Sequence, residues 1–332
     1  MRIAIVTPAP PDSRYGNRIT AVRWATILRR LGNRISILQT YDGKPYDLLV
    51  ALHARKSHSS IINFRRGNPS APIIVALTGT DLYRDIRRNR RAQESLDISI
   101  RIVVLQPKAI EELCPSWRKK TRIIYQSVED KQEPTGAGRG STKLSTKTEA
   151  RTNGHFDVCV IGHLRAVKDP FRAAIASRSL PDSSRLRVLQ IGGAMTHALA
   201  KRAHREMNSN ERYRWLDEQP QSRVRCILSR SSLFVLSSRL EGGANVLSEA
   251  IAASVPILAS RVDGNVGILG KDYPGYFEVG NTTQLTRLLT RAETSPEYLA
   301  ELKAWSKRLA PLVDPTREEQ AWSDLIDELG QK

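Results

Sequence analysis

"SSRLEGGANVLSEAIAASVPILAS", residues 237–260, sits at the end of the apolar run "SLFVLSS". That run reads as a buried strand, and "NVLSEAIAAS" reads as a helix with one face turned inward. Between them lies a Gly-Gly-Ala-Asn turn flanked by Glu241 and Glu249. A strand, a glycine turn and a helix N-terminus present backbone N–H groups to open space, where they attract anions. Gly242 and Gly243 lack side chains, so an oxygen can come close to the amides of Gly242, Gly243 and Ala244. Asn245 is read as the helix N-cap, which puts Glu249 in the first full turn and leaves Glu241 on the loop. Glu249 could merely complement the helix dipole. The glycine turn between the two carboxylates favours a ligand instead: they suit sugar and ribose hydroxyls, and a nucleotide sugar carries both, joined by a diphosphate.

Outward from this stretch, strand-like and helix-like runs alternate along the chain. "RIAIVTPA", "RISILQ", "YDLLVALH", "PIIVALTG", "IRIVVLQ" and "RIIYQS" are continuous apolar runs of the kind found in parallel sheets covered on both faces. The helix "NRITAVRWATILRRLG" is expected to bury Ile19, Val22, Ile27 and Leu31 and to end at Gly32. A short helix is read in "SHSSIINFRR" and another from Asp81 onward. The first domain spans 1–128. Residues 129–155, basic and nearly free of large apolar side chains, read as a flexible linker. A second α/β series, "FDVCVIG", "RLRVLQIG", "SLFVLSS" and "VPILAS", fills a domain at 156–310, and a helix at 311–332 is placed to pack back on the first domain. The fold class is α/β. Two Rossmann-like doubly wound units leave a cleft between the carboxyl ends of their strands, where such sheets bind ligands.

Composition narrows the partners. The net charge of +18 favours acidic ones, but no aromatic platform interleaved with basic residues points to nucleic acid. Cys114, Cys159 and Cys226 have no metal-ligand spacing and read as reduced thiols. No leader and no apolar run long enough for a membrane span is read, so a cytoplasmic protein without membrane contact is expected. No G-x-G-x-x-G follows the first strand, which disfavours a nicotinamide cofactor.

A second cluster lies at "VIGHLRAVKDPFRAA", the first turn of the second unit. Gly162 ends a strand, and Arg165 and Lys168 precede a helix read as opened by Asp169-Pro170. An Arg fork and a Lys point charge can hold a diphosphate and stabilise it as it departs.

Arg165 and Lys168 with the pair Glu241 and Glu249 resemble the donor half of GT-B glycosyltransferases of the large family four class. The resemblance implies a GT-B fold. It implies that Arg165 and Lys168 bind the nucleotide diphosphate and Glu249 the ribose, and that Glu241 with Gly242, Gly243, Ala244 and Asn245 holds the sugar. "RYRWLDEQP" is similar to the segment near the base, which would set Trp215 or its neighbours against uracil. Five further segments, "TPAPPDSRYGNRITAVRW", "ALHARKSHSSI", "LTGTDLYRDI", "VVLQP" and "DGNVGILGKDYPGYF", taken in order resemble the SenB-type selenosugar synthases of selenoneine biosynthesis. Members of that group join the selenium of selenophosphate to the anomeric carbon of a UDP-sugar and then lose phosphate.

Such an acceptor is a small anion and calls for cations on the acceptor side. The first unit offers Arg14 and Arg18 around Gly16-Asn17, then Arg55 and Lys56, and an anion seat at Thr80-Asp81 after Gly79. Arg84, Arg87, Arg88 and Arg91 are read as one solvated helix face. His53, at a strand's carboxyl end, either orients the sugar and assists the water that cleaves the P–Se bond or is a structural histidine; His163 is a further candidate. The expectation is therefore a selenosugar synthase using UDP-N-acetylglucosamine or UDP-glucose, with His53, Glu241, Arg165 and Lys168 as its catalytic groups and with no metal or other cofactor. The rivals are an ordinary family-four transferase with a sugar, lipid or thiol acceptor, and a basic nucleic-acid-binding protein.

Overall fold

The computed structural model of the protein describes residues 1–79, 81–128 and 154–330, so most of the linker expected at 129–155 lies outside the described residues. Twelve strands gather into two six-stranded sheets. The first contains β1 (Arg2–Val6), β2 (Arg34–Leu38), β3 (Leu48–Leu52), β4 (Ile73–Leu77), β5 (Arg101–Val104) and β6 (Thr121–Ile123), in the order β2-β1-β3-β4-β5-β6. The second contains β7 (Phe156–Ile161), β8 (Leu186–Ile191), β9 (Tyr213–Trp215), β10 (Leu233–Leu236), β11 (Ile257–Ser260) and β12 (Tyr276–Phe277), in the order β12-β11-β10-β7-β8-β9. Every pairing is parallel. Helices cover both faces, and the inner strands β3 and β4 are buried along their whole length, as their unbroken apolar sequences require.

Three features differ from the sequence reading. The helix Gly16–Arg30 buries Thr20, Ala21, Trp24, Ala25, Ile27 and Leu28, while Val22 is 44% exposed. The reason is a second helix, Pro315–Gly330, whose Trp322 meets Trp24 edge-on with ring centres 4.9 Å apart; with Leu325 it joins the core of the first sheet. That contact rotates the buried stripe toward Trp24. Gly32, at φ +81°, follows the helix, and Asn33 N–H donates to Leu28 O to close its end.

The segment after β4 is not one helix. A π-helical turn, Asp81–Asp85, passes into a single turn, Ile86–Arg88. Asn89 is extended, and a new helix runs over Arg90–Ile98. Asn89 Oδ1 accepts from Ala92 N–H at 3.1 Å and so caps this second helix. Arg84, Arg87, Arg88 and Arg91 therefore do not share a helical face.

The helix expected at Asp169-Pro170 opens instead at Arg172, because Asp169 takes a left-handed conformation with φ +45°. The three cysteines are free, with Cys114 and Cys226 exposed and Cys159 buried.

Candidate active site

In the second sheet β8 and β9 lie on one side of β7, and β10 to β12 lie on the other. The chain therefore leaves β7 and β10 in opposite directions and opens a crevice between their carboxyl ends, the usual ligand position in a doubly wound sheet. It is lined by Val160, Ile161, Gly162, Lys168, Pro170, Gln190 and the end of β10 through Ser238. The rim is tight: a Cβ on Gly192, after β8, would lie 2.2 Å from Gly162 O.

The loop after Gly162 is pinned to the end of β10. Ser237 Oγ donates to Lys168 O (3.2 Å) and Asp169 O (2.9 Å), and Arg239 N–H donates to Val167 O (2.8 Å). These bonds carry Lys168 Nζ to the buried carboxylate of Glu241, to which it donates. The Arg165 side chain stays exposed, with no hydrogen-bond or ion-pair partner among the described residues. The structure thus brings Lys168 and Glu241 into one ion pair and leaves Arg165 outside it, three residues earlier on the same loop.

Glu241 is followed by the glycine turn, and here the first lobe closes in. A Cβ on Gly242 would fall 2.7 Å from Gly79 N, and one on Gly243 would fall 2.6 Å from Leu105 Cβ. The two glycines are therefore demanded by the opposing lobe, at the ends of β4 and β5, as well as by any ligand. The N–H groups of Gly242, Gly243 and Ala244 donate to no described residue.

Asn245 does not cap the helix Asn245–Ala252; Ala244 occupies that position and no side chain caps it. The Asn245 side chain turns across the gap. Its Oδ1 accepts from Arg23 at 2.8 Å, and its Nδ2 reaches Gly16 O and Thr20 Oγ1 at 3.4 Å each. Arg23 wins this amide because Glu318, fully buried on the C-terminal helix, fixes its guanidinium at 2.9 Å. Glu318 also accepts from Trp24 Nε1 (2.7 Å) and Ser127 N–H (2.8 Å). Gln126 completes the seam: with its amide oriented to satisfy both ends, the nitrogen donates to Gly243 O (2.9 Å) and the oxygen accepts from Thr20 Oγ1 (2.8 Å). Sequence reasoning missed Arg23, Gln126 and Glu318, since nothing local marks a buried hub whose partners are hundreds of residues away.

Glu249 lies one turn into the helix. It accepts from Gln221 Nε2 at 2.7 Å. Burial pushes its carboxyl above the usual range, against the pull of Arg225, the Gln221 bond and Arg23. Arg225 Nε is buried without a partner.

On the first lobe, His53 ends β3 in a left-handed conformation, φ +73°, with 4% exposure. Such strain in a buried non-glycine residue persists only when its surroundings enforce it. Lys56 N–H donates to its Nδ1 at 3.4 Å, which places the imidazole proton on Nε2. Nδ1 lies 3.8 Å from Asp81 Oδ2, and Nε2 lies 3.9 Å from Asp85 Oδ2. Burial lowers the His53 pKa, with Asp81 opposing, so the ring is neutral at neutral pH. The anion seat expected after Gly79 is filled by the protein itself: Asp81 accepts from Gly79 N–H (2.9 Å) and Ala54 N–H (3.1 Å). Thr80 lies outside the described residues. Tyr83, which the sequence reading passed over, accepts from Gln106 Nε2 at 3.1 Å; burial and the carboxylates of Asp263, Glu112 and Glu241 raise its pKa.

The other acceptor-side candidates divide. Arg14 reaches across the gap to Gln219 O and, at 3.5 Å, to Glu218, so it joins the lobes. Tyr15 meets His163 edge-on at 5.6 Å. Gly16 and Asn17 open the helix that touches Asn245. Arg55 pairs with Asp85 at 2.8 Å. The side chains of Arg18 and Lys56 have no hydrogen-bond or ion-pair partner among the described residues. Trp215 is engaged structurally: its Nε1 donates to Gly192 O at 2.8 Å, and its ring lies edge-on to His204 at 5.3 Å. Among the described residues no group of three or more His, Cys, Asp or Glu side chains could hold a metal ion, and no helix is long and apolar enough to cross a membrane.

Residues 143–308, half of the chain, match the family model "Glycosyl transferases group 1". The chain is 24% identical over 308 residues to "Glycosyltransferase 1 domain-containing protein 1" of Xenopus tropicalis, with 88% of each chain covered. Among solved structures it resembles sucrose-phosphate synthase from Thermosynechococcus elongatus, with a TM-score of 0.79, 15% identity and 99% of each chain covered. It also resembles Anabaena HepE in complex with UDP-glucose, with a TM-score of 0.76, 12% identity, and 99% of this chain and 100% of that one covered. At these identities the structural likeness establishes the fold, GT-B with two Rossmann-like domains.

Proposed function

The chain belongs to the glycosyl transferases group 1 family, and from that premise we propose that it is a selenosugar synthase. It transfers a hexosyl group from a UDP-sugar, UDP-N-acetylglucosamine or UDP-glucose, to selenophosphate. The selenium lone pair attacks the anomeric carbon, the bond from that carbon to the diphosphate oxygen breaks, and UDP leaves with the electron pair. Water then attacks phosphorus, the P–Se bond breaks toward selenium, and phosphate and the 1-selenosugar are released.

The observation that carries the donor half is the Lys168–Glu241 ion pair at the second sheet's crevice, with the Arg165 side chain, unpaired among the described residues, three residues before Lys168 on the same loop. In this reading Lys168 and Arg165 stabilise the departing diphosphate. Glu241 and the open amides of Gly242, Gly243 and Ala244 hold the sugar, and Glu249 with Gln221 holds the ribose. UDP and UDP-glucose in complexes of the similar HepE support a UDP-linked donor. The ordered resemblance of five segments to selenosugar synthases supports the acceptor, and the strained, neutral His53 suits the orientation of sugar or water. No divalent ion is required in this scheme, and the reaction is that of a cytoplasmic enzyme.

The test is UDP release from each UDP-sugar with and without selenophosphate, with mass spectrometry of the product. Release that depends on selenophosphate, together with the mass of a 1-selenosugar, is expected. Release that ignores selenophosphate and follows an alcohol or thiol acceptor overturns the acceptor assignment.

A further inference from the structure

We propose that a cationic pocket on the first lobe, at the junction of the loop after β3 and the break at Asn89, binds a phosphoryl-type dianion. The cavity, about 300 Å³, is lined by Arg55, Lys56, Asn89, Arg90 and Arg91. Its size is that of a small-ligand site. Four of its five lining residues are positive. The side chains of Lys56, Arg90 and Arg91 have no hydrogen-bond or ion-pair partner among the described residues. Arg55 is engaged through Nε by Asp85 at 2.8 Å, which leaves the rest of its fork as donors. No carboxylate is among the lining residues, and Glu94, further along the helix of Arg90 and Arg91, faces His58 at 3.4 Å.

The local fold causes this crowding. Because Asn89 breaks the helix and caps a new one, Arg90 and Arg91 start an element of their own beside Arg55 and Lys56 instead of continuing the solvated face of Arg84 and Arg88. Four like charges lining one cavity, of which Arg55 alone is ion-paired among the described residues, repel one another. A tetrahedral dianion relieves that repulsion and matches the Arg forks. Asp85, which holds Arg55, also lies 3.9 Å from His53 Nε2, so the pocket adjoins the cleft on its first-lobe side. That the anion is part of the acceptor rests on the transferase reading; that the pocket binds a dianion does not. The dianion is either a free phosphate-like anion or the phosphomonoester of a sugar.

Isothermal titration of the full chain with inorganic phosphate and with glucose 6-phosphate, at low and moderate salt, tests this. Saturable binding is expected, weakened at least tenfold in Arg90→Ala/Arg91→Ala and changed less than twofold in Arg84→Ala/Arg88→Ala, which removes the same charge. Tighter binding of inorganic phosphate assigns the free anion, and tighter binding of the sugar phosphate assigns the phosphomonoester. Equal weakening in both double variants, or no saturation, overturns the proposal, since a diffuse field then accounts for the attraction. A UDP titration separates the two readings. Arg90→Ala/Arg91→Ala is expected to keep wild-type UDP affinity, and failure of the wild type to bind UDP would sink the donor assignment while leaving the pocket standing.

Discussion

In the second lobe the candidate residues come from two short stretches, around 162–168 and 241–249. In the first lobe they are scattered over Arg14, Arg18, His53, Arg55 and Lys56. The difference follows from topology. β7 and β10 are neighbours at the point where the sheet reverses direction, so the loops that leave them must meet, and Lys168 finds Glu241 although 73 residues separate them. In the first lobe residue type alone does not say which cations are engaged. Arg14 is taken by Gln219 and Glu218, Arg23 by Glu318 and Asn245, and Arg55 by Asp85. A chemical motif is informative when its partners are close in the sheet; a cation count is informative only once its partners are known.

The largest effect expected concerns the seam between the lobes. Arg23 and Glu318 side chains are 10% and 0% exposed, and removing one partner of a buried pair costs about 3–5 kcal/mol. Glu318→Ala should lower the urea midpoint accordingly, and a change under about 1 kcal/mol would break the view that the first lobe's cations serve architecture.

Next is Lys168→Ala, which should reduce kcat/KM for UDP-sugar turnover about 10²–10³-fold, the loss typical of a charge-stabilising group in a transition state. A loss below tenfold would break the assignment of the second lobe as the chemical one.

Gly242→Ala puts a methyl group 2.7 Å from Gly79 N, on the first lobe. Closure should suffer, with turnover falling by up to about 10²-fold while UDP affinity, which the proposal assigns to the second lobe, holds. If UDP affinity fell in parallel, the comparison between the lobes would need redrawing.

The smallest effect is electrostatic. Burial lowers the His53 pKa in the folded chain, so the unfolded chain, titrating near about 6.5, binds the proton more readily. Stability should be full above that value and should fall as pH drops through it toward the lower folded pKa. His53→Asn, a residue that tolerates positive φ, should flatten this part of a Tm-against-pH curve. An unchanged slope would place the pH dependence elsewhere.

Much of this architecture is legible in the sequence because continuous apolar strands and glycine turns are local signals. The two sheets, and the placing of Arg165, Lys168, Glu241 and Glu249 on the turns of one lobe, follow from such signals. The helix faces are less legible. Val22 looked buried and is exposed, because only the packed Trp322 reveals that the helix turns Trp24 inward. Asn245 looked like a cap, and only the nearness of Arg23 shows that its amide bridges the lobes. The seat after Gly79 looked open to an anion, and Asp81 fills it.

The sequence by itself determined the parallel α/β class, the two-lobe division and the glycine turn between strand and helix at 241–249, since each depends on periodicity and backbone freedom within about a dozen residues. The tertiary structure alone decided which charges are paired, which glycines face the other lobe, and where Arg90 and Arg91 come together with Arg55 and Lys56. Those outcomes depend on contacts between segments far apart in the chain, and the strength of a charge depends on what the fold sets beside it.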